Sequence, residues 1–419
     1  MLTPGRLRSI HSFVFMNNLR KGMMVSVLCA IMSVFFAAAA AQTDSPPPLD
    51  LLVRAALDRH PDLRAAAREP AYLEASYRAQ FRPEPLAARG YYMPFSDAGD
   101  LYTEWEVVAG FNGPRLVRAT RAFTDAAVSE ASAEEGVLRQ QVAAELLSAG
   151  ISVWSAEQQI TLLTARLEDA RGLAEWARDR RDAGLETDAT ASSAAFAALH
   201  LEVELDRLQS ARNAGRSDLA VWFGSLPEGP IVLPVGWGAD GPQPAADSAE
   251  VWARADARWE AALRSGEAAA RQLEVESVAR GPRWQAGWNT QGVPTGVYRG
   301  VTVGLAVPVF GRDAGREAAE VAAAAALDRQ DAVHRELAQQ RSRDIARMAS
   351  LAAARNELGT RLAADGGEAA LREALLAGAL DFPAFSAALA ARRAAEDLHV
   401  ELDAELLQLR AQLLIHTFK

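Results

Sequence analysis

Cysteine is almost absent from this chain. Cys29 is the only one in 419 residues, and it lies in an apolar stretch near the N-terminus. No disulfide can form within the chain, and thiolate metal centres are excluded. Lysine is nearly missing too: only Lys21 and Lys419 occur, so arginine carries the positive charge. Aromatic residues make up 7% and the formal net charge is −10. Nucleic acid is thereby excluded as a partner, because phosphate binding needs a basic face. The sequence also lacks a nucleophile elbow, a P-loop, an HExxH motif and a dinucleotide fingerprint. It therefore offers no enzyme chemistry and no cofactor site, and any energy for transport must come from a partner.

No apolar run is long enough for a spanning helix. The longest, Met23 to Phe36, follows Arg20 and Lys21 and precedes the small residues Ala37 to Ala41. That order predicts an export signal over residues 1–41, with residues 1–15 outside the pattern and Met16 as an alternative start. Leu28 before Cys29 is too large for a lipoprotein cleavage site, so no lipid anchor is expected. Removing residues 1–41 takes away four basic groups and no acid, which leaves about −14.

Proline is missing from two long stretches. Pro114 to Ala183 holds none after its first residue, and a helix of that length reaches roughly 105 Å at 1.5 Å per residue. No compact globular domain needs such a helix. Gly184 ends it, and Glu186, Thr187 and Asp188 supply capping chemistry for a second helix to Phe223. Residues 224–247 are rich in proline and glycine and read as a linker. The arrangement then recurs, with one helix over Ser248 to Ala279. A long helix from Gly315 to Ala377 follows, weakened at Gly359 and around Asp365, Gly366 and Gly367. Gly378 marks the turn, Asp381 can cap, and Pro383 opens the last helix.

Between the helices lie strands. Val301, Val303, Leu305, Val307 and Val309 alternate with Thr302, Gly304, Ala306 and Pro308, which puts the large aliphatics on one face. Trp284, Ala286 and Trp288 alternate likewise, and so do Trp105, Val107, Ala109 and Phe111. Tyr91, Tyr92, Tyr102 and Trp105 suit an interfacial aromatic girdle. Glu104 and Glu106 fall on the opposite face. EWEVVAGFNGPRLVRA aligns with VTVGLAVPVFGRDAGR, and AGLETDATASSAA with AGALDFPAFSAAL. The chain is thus a duplication. The first copy covers 42–223, with strands at about 86–111 and a hairpin at about 114–223. The second covers 248–419, with strands at about 282–309 and a hairpin at about 312–416.

Four strands cannot close a barrel, and a bilayer does not tolerate an open sheet edge. Strands of this kind in lipid must be closed by sister chains. The layout, the segment VTVGLAVPVFGRDAGREAAEVAAAAA and the two glycine turns resemble the TolC family of outer-membrane efflux proteins. The short chain and VPVFGRDAG point within it to the heavy-metal branch of CzcC and CusC type. The resemblance implies a mostly α chain with a small membrane β part. Three chains would form a homotrimer with a 12-stranded β-barrel, continued by a long α-helical barrel. It implies an outer-membrane location reaching into the periplasm, a periplasmic adaptor protein, and an inner-membrane pump of RND type. Val301, Val303, Leu305 and Val307 would then face lipid. Glu104 and Glu106 would face the barrel lumen. Gly184 and Gly378 would turn the hairpins, and Glu186, Asp188 and Asp381 are the candidate acids of a constriction at the hairpin tips. Members of the family carry an acid six residues after the hairpin glycine; Thr190 and Ala384 stand there instead.

His200 with Glu204 and His399 with Asp403 sit at i, i+4, two ligands where a closed metal site wants four, so no metal is assigned. Two other readings stay open. One is a duct of the same fold for drugs, other solutes or a type I secreted protein. The other is a soluble periplasmic coiled-coil or adaptor protein, against which stand two hairpins and no lipoyl-like domain.

Overall fold

The structure, a computed structural model, describes residues 46–80, 87–94, 101–224, 226, 228–237, 248–279, 281, 283–293, 296–306, 314–364 and 366–418. The export signal, the turn at Phe95 to Asp100, and Val307 to Asp313 of the VPVFGRDAG segment lie outside them. So do Asp365 and residues 238–247.

Three short helices come first: α1 (Leu49–Leu57), α2 (Pro61–Ala66) and α3 (Glu69–Gln80). Pro61 opens α2 and Pro70 sits in the first turn of α3, where a missing N–H costs nothing. Strands β1 (Ala87–Pro94) and β2 (Leu101–Phe111) follow, then α4 (Pro114–Asp182) and α5 (Asp188–Phe223). The second half repeats this with α6 (Ala249–Ala255), α7 (Ala257–Ala279), β3 (Arg283–Val293) and β4 (Gly296–Ala306). It ends in α8 (Ala314–Ala364), α9 (Gly367–Leu376), α10 (Phe382–Leu414) and a 3-10 turn at Ile415–Phe418.

Helix α4 runs unbroken for 69 residues, roughly 100 Å. Its length beyond the strands is what separates the sheet from the hairpin tips. It packs against α3 and α7 and along α5. Its partner α8 is shorter, because Gly366 and Gly367 adopt φ of 62° and 81°, in the left-handed region that favours glycine. Gly359 lies inside α8 and does not interrupt it.

The expected single helix over Ser248 to Ala279 is two, split at Asp256. Its carboxylate accepts the backbone N–H of Arg258 at 3.0 Å and so caps α7. No proline or glycine marks the break, and the capping carboxylate supplies it.

The largest core lies midway along α4. Leu147, Ile151 and Val153 pack there with Leu49, Val53 and Leu57 of α1, Leu219 of α5, and Leu407 and Phe418 of the C-terminal end. A Cβ on Gly150 would stand 2.6 Å from Leu49 Cδ1, so any larger residue there would force the buried Leu49 side chain to shift. Residues 231–237 join the same core through Ile231 and Trp237, and Leu49 N–H donates to Val232 O at 2.8 Å.

The strands form one antiparallel sheet in the order β1-β2-β3-β4. They pack against one another, and among the described residues no helix is packed across either face. β1 and β4 are both open edges.

Candidate functional site

The register sorts the sheet into two chemistries. Val107, Trp288 and Val301 stand opposite one another, as do Ala109, Ala286 and Val303, and Phe111, Trp284 and Leu305. Directly opposed residues share a face. These rows make one continuous apolar surface, and it is bare: Val303 is 70% exposed and both tryptophans are about half exposed. A patch this coherent needs a cover. Trp105 stands at its far end, next to Thr290 and Arg299 in register.

The other face is polar. Glu104 accepts from Asn289 Nδ2 at 2.7 Å and from Gln291 Nε2 at 3.3 Å. Glu106 stands on the same face, opposite Asn289 on one side and Arg89 on the other. Tyr91 is opposite Glu104, so it belongs to this face and not to the aromatic girdle that its place near a strand end suggested. Whole-strand pairing decides this, and strand β1 is too weakly alternating to show it in sequence. The side chains of Tyr92 and Tyr102 lie outside the description.

At the far end, Gly184 and Gly378 take φ of 72° and 73° and end α4 and α9 in left-handed turns. Asp381 caps α10, its Oδ1 accepting the N–H of Ala384 at 2.8 Å. In the first hairpin the cap is Thr187, which accepts from Thr190 N–H at 3.2 Å. Asp188 is therefore not the cap but the first helical residue, with its side chain 93% exposed and 3.8 Å from Arg181. Glu186 lies 3.7 Å from Arg180. Each of the first tip's two acids thus has an arginine neighbour. Asp381→Ala is expected to cost about 1 kcal/mol, and Asp381→Ser to keep most of it, since serine also caps. Thermal melts of both variants check the cap.

Between the tips and the middle, the two hairpins are tied by a buried cation. Arg166 of α4 is 6% exposed and donates to Asp397 Oδ1 at 2.7 Å, Glu396 Oε2 at 3.0 Å and Arg393 O at 3.1 Å, all on α10. Below it a cavity of about 400 Å³ opens between α4, α5, α9 and α10, lined by Phe382, Phe385, Arg372 and His200. His399 lies 3.9 Å from Asp403, but Asp403 already accepts from Arg355 Nε at 2.9 Å. Among the described residues no group of three metal-ligating side chains comes together.

A second buried ion pair closes the middle. Arg341 of α8 donates to Asp256 Oδ2 at 2.8 Å and to Gln412 O at 2.9 Å. Sequence reading passed over both arginines. Their signal is positional: Arg166 falls between Leu163 and Ala170, and Arg341 between Leu337 and Ile345, on apolar stripes where a charge needs a partner.

No protein-family model and no curated protein matches the chain. Among solved structures, 23 chains match. The outer-membrane protein VceC of Vibrio cholerae is 18% identical at a TM-score of 0.69, covering 88% of this chain and 95% of its own. The outer-membrane channel MtrE of Neisseria gonorrhoeae is 16% identical at a TM-score of 0.65, covering 89% of each chain. CusC, described for its transmembrane channel formation, is 15% identical at 0.65, covering 87% of this chain and 91% of its own. Identities this low speak for architecture: the chain has the TolC-like fold of these channel proteins, the fold that the sequence resemblance implied.

Proposed function

We propose that the protein is the outer-membrane duct of an export system. The observation that carries this reading is the sheet. It has one bare apolar face, one polar face and two open edges, in a chain with the fold of outer-membrane channel proteins. Lipid is the cover that suits the apolar face. In lipid the open edges of β1 and β4 must be paired, because each unpaired backbone group costs several kcal/mol. Three copies, β4 to β1, make a closed barrel of twelve strands. The hairpins then continue the barrel as a tube of helices about 100 Å long through the periplasm. Transport is passive, and the energy comes from an inner-membrane pump of RND type, reached through a periplasmic adaptor at the hairpin tips. The cargo is a small solute. Heavy-metal cations are the narrower reading, favoured by Glu104 and Glu106 on the lumen face.

Cell fractionation followed by reconstitution tests the reading. The protein is expected in the outer-membrane fraction, released only by detergent, and it is expected to open stepwise conductances in planar bilayers. Recovery in the soluble periplasm without detergent would overturn the duct in favour of a soluble coiled-coil protein.

A further inference from the structure

We infer that the cavity roofed by α9 is a binding site for a small uncharged aromatic molecule. The inference stands apart from the duct reading, because one chain supplies the wall: α4, α5, α9 and α10 each contribute side chains. The space exists because α9 stands off from α4 and α5. Gly366 and Gly367, both at positive φ, redirect the chain at one end of α9, and Gly378 does so at the other. Between these joints α9 packs chiefly against α10. Two ion pairs hold it in place. Arg372 Nη1 donates to Asp169 Oδ1 of α4 at 3.4 Å, and Arg393 Nε of α10 donates to Glu368 Oε1 at 2.9 Å.

Alanines keep the space open. Ala170, Ala194, Ala197 and Ala390 line it where longer side chains would fill it. Protein interiors rarely leave voids larger than a water molecule, and a volume of about 400 Å³ falls in the range of small-molecule sites. The rest of the wall is chiefly apolar. It includes Leu173, Leu201 and the pair Phe382 and Phe385, whose ring centroids lie 6.4 Å apart at 40°. Such a pair favours another ring, edge-on or offset, over an aliphatic chain. The four acids and arginines of the wall are already matched, Arg372 with Asp169 and Arg393 with Glu368, so a charged ligand would have to break a pair. Ser193, Ser386 and His200 supply groups that can hydrogen-bond a hydroxyl or amino substituent.

Fluorine resonance spectroscopy of the purified full chain tests the site, with phenol as the probe, since a phenol is uncharged near neutrality. Cys29 is the only cysteine, so in a Cys29→Ser background Ser386→Cys carries a single trifluoromethyl tag on the cavity wall. Its resonance is expected to shift saturably as phenol is added. The same tag at Ser192→Cys, exposed on α5 but outside the wall, is expected not to move. Benzoate at equal concentrations is expected to give no shift at either position. Ala197 is an exposed part of the wall, so Ala197→Phe is expected to fold, to fill the space and to abolish the response to phenol. No saturable shift at Ser386→Cys, an equal shift at both tags, or a response that survives Ala197→Phe would overturn the site. An equal response to benzoate would overturn the uncharged class of its ligand.

Discussion

Val303→Arg is expected to abolish recovery of the assembled protein from the outer membrane. Val303 sits in the middle of the apolar face, between Val301 and Leu305 along β4 and beside Ala286 across the ladder. An arginine near the bilayer midplane on the lipid face of a barrel costs about 2–4 kcal/mol. In a closed trimer the cost recurs in each chain, which is a large part of a typical total stability of about 5–15 kcal/mol. The alternative makes a different prediction. On a soluble protein Val303 would simply be an exposed residue, and its replacement would cost within about 0.5 kcal/mol. Thr302→Arg supplies the control. Thr302 neighbours Val303 in the strand but belongs to the polar face, opposite Gly287. That variant is expected to insert and assemble. Outer-membrane fractionation and heat-modifiability on gels read both. Normal assembly of Val303→Arg, or equal failure of both variants, would remove the lipid-facing assignment.

The contrast between these two residues also marks how much was legible in the sequence. Alternation alone separates Val303 from Thr302, because a strand has a fixed period of two. The long hairpins were equally legible, since sixty-odd residues without proline leave few alternatives and the glycine turns punctuate them. Pairing was not legible. Which residue of β1 stands opposite Glu106 depends on the register of the whole ladder, and one slipped position would move Arg89 to the other face. The Tyr91 assignment failed for the same reason. The break at Asp256 was hidden by a different cause. A side-chain carboxylate replaces the glycine or proline that usually signals a stop, and one of its two arginine partners is remote in sequence: Arg341 is brought to it only by packing α8 against α7. At the hairpin tips, residue types were legible but their roles were not, because Thr187 and Asp188 compete for one capping position and geometry chose the threonine.

The most damaging single change expected in the helical part is Asp256→Ala. The Asp256 and Arg341 side chains are only 3% and 5% exposed and meet at 2.8 Å. Arg258 adds a second cation, its Nη2 3.0 Å from Asp256 Oδ2. Removing the acid strands Arg341 in the interior, with Asp344 at 4.0 Å as its remaining carboxylate. Breaking a buried pair on one side costs about 3–5 kcal/mol, while replacing both members by apolar groups is often neutral. Asp256→Ala combined with Arg341→Met is therefore expected to recover most of what Asp256→Ala loses. The pH dependence separates charge from packing. Burial alone would raise the Asp256 pKa, but hydrogen bonds and charge from Arg258, with the charge of Arg341, outweigh it and hold the group below its ordinary value. An acid held low in the folded state contributes stability above its unfolded pKa, about 3.9, and loses it as pH falls through the lower folded value. Asp344 has the opposite sign: burial outweighs the nearby arginines and raises its pKa. Its effect weakens the fold as pH rises from the unfolded value to the folded one. The stability gap between wild type and Asp256→Ala, measured by denaturant titration in detergent, is therefore expected to be constant near neutrality and to narrow below about pH 4. A gap that stays constant through the acid range would show that the lost contribution is packing around Asp256 and not its pairing with Arg341.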